Sequence, residues 1–157
     1  LPKNLFQGIL FKLMAPLLTW MILLGVSGAI VALGDTLFPS SSFKEGALMD
    51  LDPSAHFLIQ LRFIHPLLAM FSGLYAMGVS NWLLSKLKPG EASRKTKRII
   101  ILVLLQLSVG VINMLLLVPI WTQMLHLLLA NILWISVVDS WLSGSAELEF
   151  PDTGARA

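Results

Sequence analysis

Three runs of this chain contain no Asp, Glu, Lys or Arg: residues 13–34, 63–85 and 99–138. A water-soluble surface cannot be wetted over such lengths, since soluble domains carry roughly a quarter of their residues as charges. Here charged residues are 13% of 157 and hydrophobic residues 56%. A soluble enzyme, a nucleic-acid binder, a disordered tail and a secreted disulfide scaffold are excluded together. The fold class that survives is all-α: a polytopic membrane protein built as a bundle of four transmembrane helices.

A membrane-crossing helix needs about 20 apolar residues. Residues 13–34 and 63–85 supply one span each. The run 99–138 is twice too long for a single crossing, and Pro119 lies near its middle. Proline lacks an N–H and disfavours helix at the residue before it, so Val118-Pro119-Ile120 reads as a tight turn. Two spans result, about 99–117 and 121–139. Residues 1–12 then form an N-terminal segment, 13–142 the four-helix domain, and 143–157 a polar, loosely held tail. Because the chain opens on Leu-Pro and not on Met, it reads as a processed product or as part of a longer protein.

Charge sets the expected direction. Net charge is only +2, yet six of the eleven basic residues (Lys86, Lys88, Arg94, Lys95, Lys97, Arg98) fall within residues 86–98. Between apolar runs, such a cluster marks a cytoplasmic loop, not a nucleic-acid site. The loop 35–56 carries Asp35, Glu45, Asp50 and Asp52 against Lys44 and is expected outside, with both termini inside. Within it, Asp52-Pro53-Ser54 resembles a helix start with Ser54 as cap, introducing a short amphipathic surface segment. Asp139 is expected to meet headgroup water. With no cysteine, the chain has no disulfide, no thiolate metal site and no covalently attached c-type haem.

In so apolar a chain the informative residues are the polar ones within spans. His65 lies a little inside the outer end of the second span, and His126 just over one turn inside that of the fourth. If the first and third spans separate the second and fourth, the two imidazoles face each other across the core. A haem needs that geometry, with one neutral imidazole nitrogen on each side of the iron. Helical steps from His65 give Ala69, Ser72, Gly73, Ala76 and Ser80, a stripe of small residues. Gly25, Gly28, Ala29 and Ala32 repeat this on the first span, with Gln106, Gly110 and Asn113 on the third. Arg62, one turn outward of His65, suits a propionate, assisted by His56 or Gln123. The plainer alternative makes the histidines, Gln106 and Asn113 interhelical hydrogen-bonders, Arg62 an interfacial side chain and His56 a solvated loop residue.

At these residues the sequence resembles the heme A synthase family, and specifically one four-helix half of it. The resemblance is carried by Gly25-Val26-Ser27-Gly28-Ala29-Ile30 and Gly34-Asp35-Thr36-Leu37-Phe38-Pro39-Ser40. It continues in Ser54-Ala55-His56-Phe57-Leu58-Ile59-Gln60-Leu61-Arg62, Phe63-Ile64-His65-Pro66, Gln106-Leu107-Ser108-Val109-Gly110-Val111-Ile112-Asn113 and Leu125-His126-Leu127-Leu128-Leu129-Ala130. It implies a protein of two such halves that oxidises the C8 methyl of heme O to the formyl group of heme A. The catalytic half carries a Glu three residues before its first histidine ligand, followed by His-Arg. This chain has Arg62 and Pro66 at those positions and lacks the cysteine pair of many members. It therefore looks like the C-terminal half, which holds a b-type haem for electron transfer.

The resemblance thus implies haem b (protohaem IX) as cofactor, with His65 and His126 as axial iron ligands and Arg62, His56 and Gln123 around them. No catalytic residue is assigned to this half. The implied partners are haem, the lipid bilayer, and a catalytic four-helix half or a larger respiratory or photosynthetic membrane complex. The implied location is a bacterial cytoplasmic membrane. Two other readings remain open: a structural or accessory subunit of a larger complex, with or without haem, and a quinone site using the same polar groups.

Overall fold

The structure, a computed structural model, describes residues 8–149. It consists of five helices with no strand among the described residues: α1 (Ile9–Leu37), α2 (Phe43–Asp50), α3 (Phe57–Leu84), α4 (Glu91–Leu115) and α5 (Ile120–Glu149). All but the short α2 are long and apolar enough to cross a bilayer. Their outward faces carry exposed Leu, Ile, Val and Phe, as lipid contact requires. The protein is an integral membrane protein of four spans.

The spans pack in a ring, α1 against α3, α3 against α4, α4 against α5, and α5 back against α1. Short connections make ring neighbours α3 and α4, and α4 and α5, antiparallel. Consequently α3 and α5 occupy opposite corners, separated by α1 and α4. Two ends follow: an acidic-loop end with α2 and the α4–α5 turn, and a basic-loop end with residues 85–90.

The apolar core lies almost wholly toward the basic-loop end. It joins Leu10, Met14 and Leu17 of α1 to Ala76, Val79 and Leu83 of α3, Ile99, Leu102 and Val103 of α4, and Leu133 and Val137 of α5. Lipid tails are as apolar as these side chains, so close approach and polar links must hold the helices together. The small stripe on α3 provides the approach: Ser72, Gly73, Ala76 and Ser80 are all buried. Of the matching set on α1, Gly28 faces inward against α3, whereas Gly25 and Ala29 point outward.

The helices overrun the uncharged windows of the sequence. α4 begins at Glu91, and α5 continues through Ser143 to Glu149, so the first seven residues of the expected loose tail are helical. The remainder of the tail lies outside the described residues, as do residues 1–7. Contacts between α4 and α5 explain the extension. Lys95 Nζ lies 2.9 Å from both Glu91 and Asp139 and donates to Ser143 Oγ at 3.0 Å. Asp139 is therefore paired with Lys95 while its side chain stays partly exposed. The buried Thr96 hydroxyl donates to Ala92 O at 2.8 Å, so its oxygen accepts from Ser140 at 2.8 Å. The Lys88 N–H donates to Glu147 at 2.7 Å.

In the acidic loop the helix sits earlier than the sequence suggests. α2 is capped by Ser42, whose hydroxyl accepts from the Glu45 N–H at 3.2 Å. Ser41 donates both its hydroxyl and its N–H to Glu45, which holds that carboxyl below its ordinary value. Ser54 does not cap α3; it donates to Asp52 and lowers that carboxyl likewise. His56 is the cap, its Nδ1 accepting from the Leu58 N–H at 3.3 Å.

Candidate functional site

His65 and His126 stand eight and six residues into α3 and α5, which descend from the acidic-loop end at opposite corners. Both are half-buried. Each ring rests on a glycine of the neighbouring helix. A Cβ on Gly28 of α1 would stand 3.1 Å from His65 Cε1, and one on Gly110 of α4 would stand 3.2 Å from His126 Cε1. The two helix pairs, α1–α3 and α4–α5, thus repeat one device.

The hydrogen bonds at the two rings differ. Ser27 Oγ donates to Leu24 O at 2.8 Å and lies 2.8 Å from His65 Nδ1. A hydroxyl has one proton, already given to Leu24, so Nδ1–H must donate to the Ser27 oxygen. That fixes the tautomer, leaving Nε2 with a free lone pair. At His126, Nε2 lies 3.1 Å from Gln106 Nε2, while Nδ1 is buried with no hydrogen-bond partner among the described residues. Gln106 Oε1 is buried and unpartnered in the same sense. Sequence reasoning placed Gln106 on the inward face of its span without finding this bond, which depends on the α4–α5 register.

Arg62 is drawn away from the histidines toward the acidic loop. Buried at 8% exposure, it donates to Phe38 O at 2.6 Å and Gly34 O at 3.3 Å, lies 3.1 Å from Asp35 and 3.8 Å from Asp50. The Asp50 contact is ionic without a hydrogen bond, since 3.8 Å is too long for one. Burial raises the Asp50 carboxyl above its ordinary value, and the Arg62 charge opposes that rise. Arg62 therefore ties α1, α2 and α3 together. Sequence reasoning missed Asp35 and Asp50 as its partners, although their like charge beside a lone inward arginine was a usable signal.

The other two candidates are likewise engaged locally. His56 caps α3 and packs its ring 5.2 Å from Phe38 and 4.7 Å from Phe57. Gln123 donates to Val118 O at 2.7 Å, fastening the α4–α5 turn. Thr122, nearly fully buried, donates to Pro119 O at 2.7 Å, and its hydroxyl oxygen also meets the Asn113 side-chain amide in the same turn. The structure thus sets His65 with Ser27 and Gly28, and His126 with Gln106 and Gly110, and places Arg62, His56 and Gln123 in the framework at the acidic-loop end. An open groove of about 580 Å³ along α1, from Phe11 and Lys12 to Trp20, involves neither histidine.

Among the described residues, no cluster of three or more His, Asp or Glu could hold a bare metal ion. A haem makes a smaller demand on the protein: two neutral imidazoles on opposite sides of a space lined by small residues. The donor chemistry present fits that demand in kind: two imidazoles on opposite helices, each against a glycine, with His65 Nε2 unbonded among the described residues and His126 Nε2 held by Gln106.

Residues 5–138 match the family described as cytochrome oxidase assembly protein. The protoheme IX farnesyltransferases of two strains of Thermus thermophilus are each 42% identical over 119 residues, 75% of this chain. The chain spans only 19% of the length of these relatives. No solved structure matches it. With four apolar spans in a ring and a family match over most of its length, the chain belongs to the cytochrome oxidase assembly proteins of the heme A synthase family.

Proposed function

We propose that this chain is the haem b-binding, electron-transfer half of a heme A synthase-type protein, with His65 and His126 as the axial ligands. The observation that carries this reading is the tautomer at His65. Ser27 Oγ accepts a hydrogen bond from Nδ1–H, which keeps the proton on Nδ1 and leaves Nε2 unprotonated, the form a metal requires. Opposite it, at the other corner of the ring, stands the only other histidine within a span.

A haem held by two imidazoles has no open iron position and supplies one-electron transfer, not oxygen activation. The protein's own residues perform the remaining tasks. Ser27 sets the ring orientation and tautomer of His65. Gly28 and Gly110 let both rings lie close against the helices behind them. The apolar outer faces of the spans keep water away, which helps fix the potential. Arg62 contributes by holding the acidic loop over this end of the bundle, and its charge is already offset by Asp35 and Asp50. Oxidation of heme O requires the catalytic half, which this reading places on a partner or elsewhere in a longer protein. The charge asymmetry of the loops supports an orientation with residues 86–98 on the cytoplasmic side, in what this reading takes to be a bacterial cytoplasmic membrane. The farnesyltransferase activity named for the Thermus relatives belongs to those proteins; their name is consistent with a segment that handles protohaem.

A haem-free accessory subunit is the competing reading. The Gln106–His126 bond favours it, because the chain partly satisfies its own second imidazole. Haem stoichiometry decides between them. The detergent-purified chain should carry about one protohaem per polypeptide by pyridine haemochrome assay. A well-folded preparation that neither carries nor accepts haem would establish the accessory role.

A further inference from the structure

The two histidines have matching glycine cradles and opposite hydrogen-bond networks. At His65 the Ser27 bond engages Nδ1 and leaves Nε2 without a hydrogen-bond partner among the described residues. At His126 the network is incomplete whichever way the Gln106 amide is turned. If its NH2 donates to Nε2, the imidazole proton sits on Nδ1, buried and without an acceptor. If its oxygen accepts from Nε2–H, the Nδ1 lone pair is buried without a donor and the amide NH2 is left over. Each unpaired buried polar group is costly in an apolar interior. The ring is also clasped to a single helix. Gln106 and Gly110 are four residues apart on α4, so they share a face: one bonds Nε2, and the other lies against Cε1 and Nδ1.

We infer that Gln106 is a placeholder on His126: in the haem-free chain its amide occupies the imidazole nitrogen that ligation needs, and loading of the site is controlled by breaking that bond. This rests on the electron-transfer reading above. It gives the pair a fixed order, His65 being ready to bind and His126 following only when Gln106 releases it. Gln106 acts through His126, as a positioning residue.

The test uses the full chain expressed without haem, purified in detergent and titrated with hemin while the Soret band is followed. Gln106→Leu removes the amide at similar volume, and Gln106→Asn keeps it but shortens its reach by one methylene. Both should take up hemin about fivefold faster and more tightly than wild type, the worth of roughly one net hydrogen bond. The reduced α-band should stay unchanged, since the ligands are the same. If Gln106→Leu fails to fold, Gln106→Asn decides alone. Unchanged or weaker uptake, or a spectrum showing haem held by one imidazole, would make Gln106 an ordinary support for ligation and overturn the placeholder role. No uptake by wild type and variants alike would remove the electron-transfer reading itself, and the inference with it.

Discussion

Gly28 lies so close to His65 that a single added carbon would stand 3.1 Å from the ring, and one added to Gly110 would stand 3.2 Å from the ring of His126. Contacts this short leave a side chain no room unless the imidazole moves. Gly28→Val and Gly110→Val should therefore weaken hemin binding at least tenfold while the bundle stays assembled. Gly25→Ala is the control, because nothing lies within 4 Å of its added Cβ. It should bind hemin as wild type does and gain up to about 1 kcal/mol in helix stability. Soret titration and thermal unfolding in detergent check both.

The Arg62–Asp35 pair predicts a destabilisation that depends on which partner remains. Removing one member of a buried pair leaves an uncompensated charge, at a cost of about 3 kcal/mol. Arg62→Ala should lose about that much and expose the 38–56 segment to protease. Arg62→Ala combined with Asp35→Ala should recover at least half of the loss. A double variant as unstable as the single one would show that packing, not charge, is what Arg62 provides.

Asp50 predicts a dependence on pH. Burial raises its folded-state value above that of the unfolded chain. Folding thus favours the protonated acid, and as pH rises through the raised value the ionised carboxylate weighs against the fold. Asp50→Asn should therefore gain stability relative to wild type at neutral pH, with the difference shrinking as pH falls below the ordinary carboxylate range. Asp52 and Glu45 have the opposite sign. Their lowered values give stability that is present above the unfolded value and lost as pH falls through the folded one. Thermal unfolding of Asp50→Asn and wild type across pH separates the two contributions.

The α4–α5 turn stores strain that a substitution can release. Leu117 and Val118 both adopt φ of 58°, and a β-branched side chain is poorly tolerated there. The turn persists because the Val118 N–H donates to Asn113 O at 2.8 Å and Gln123 holds the Val118 carbonyl. Val118→Gly should raise the unfolding midpoint by the equivalent of about 1 kcal/mol. Gln123→Ala should lower it by a similar amount.

The parts of this protein that answer to lipid were legible in the sequence. Uncharged runs are what a bilayer demands, and Pro119 divides the longest because no helix passes it unbroken without cost. The histidines stood out because a titratable side chain within a span needs a reason to be there. Helix ends were less legible, because helices continue past the bilayer wherever polar side chains can link them. Lys95 with Asp139 and Ser143 does so at one end, and no apolar window registers it. The partners of Arg62 were missed for a related cause: they lie 27 and 12 residues away in sequence, and only the packing of α1, α2 and α3 brings them to it. Gln106 was visible as an inward polar residue, but its bond to His126 depends on a helix register that the sequence does not state.

The central claim, that His65 and His126 together hold one haem b, is tested most directly by one optical comparison. Spectra of the detergent-purified chain would be recorded oxidised and dithionite-reduced, beside His65→Ala and His126→Ala. The account predicts a sharp reduced α-band in the wild type and its loss in both variants. A band that survives either substitution, or a flat spectrum from properly folded wild type supplied with hemin, would contradict it.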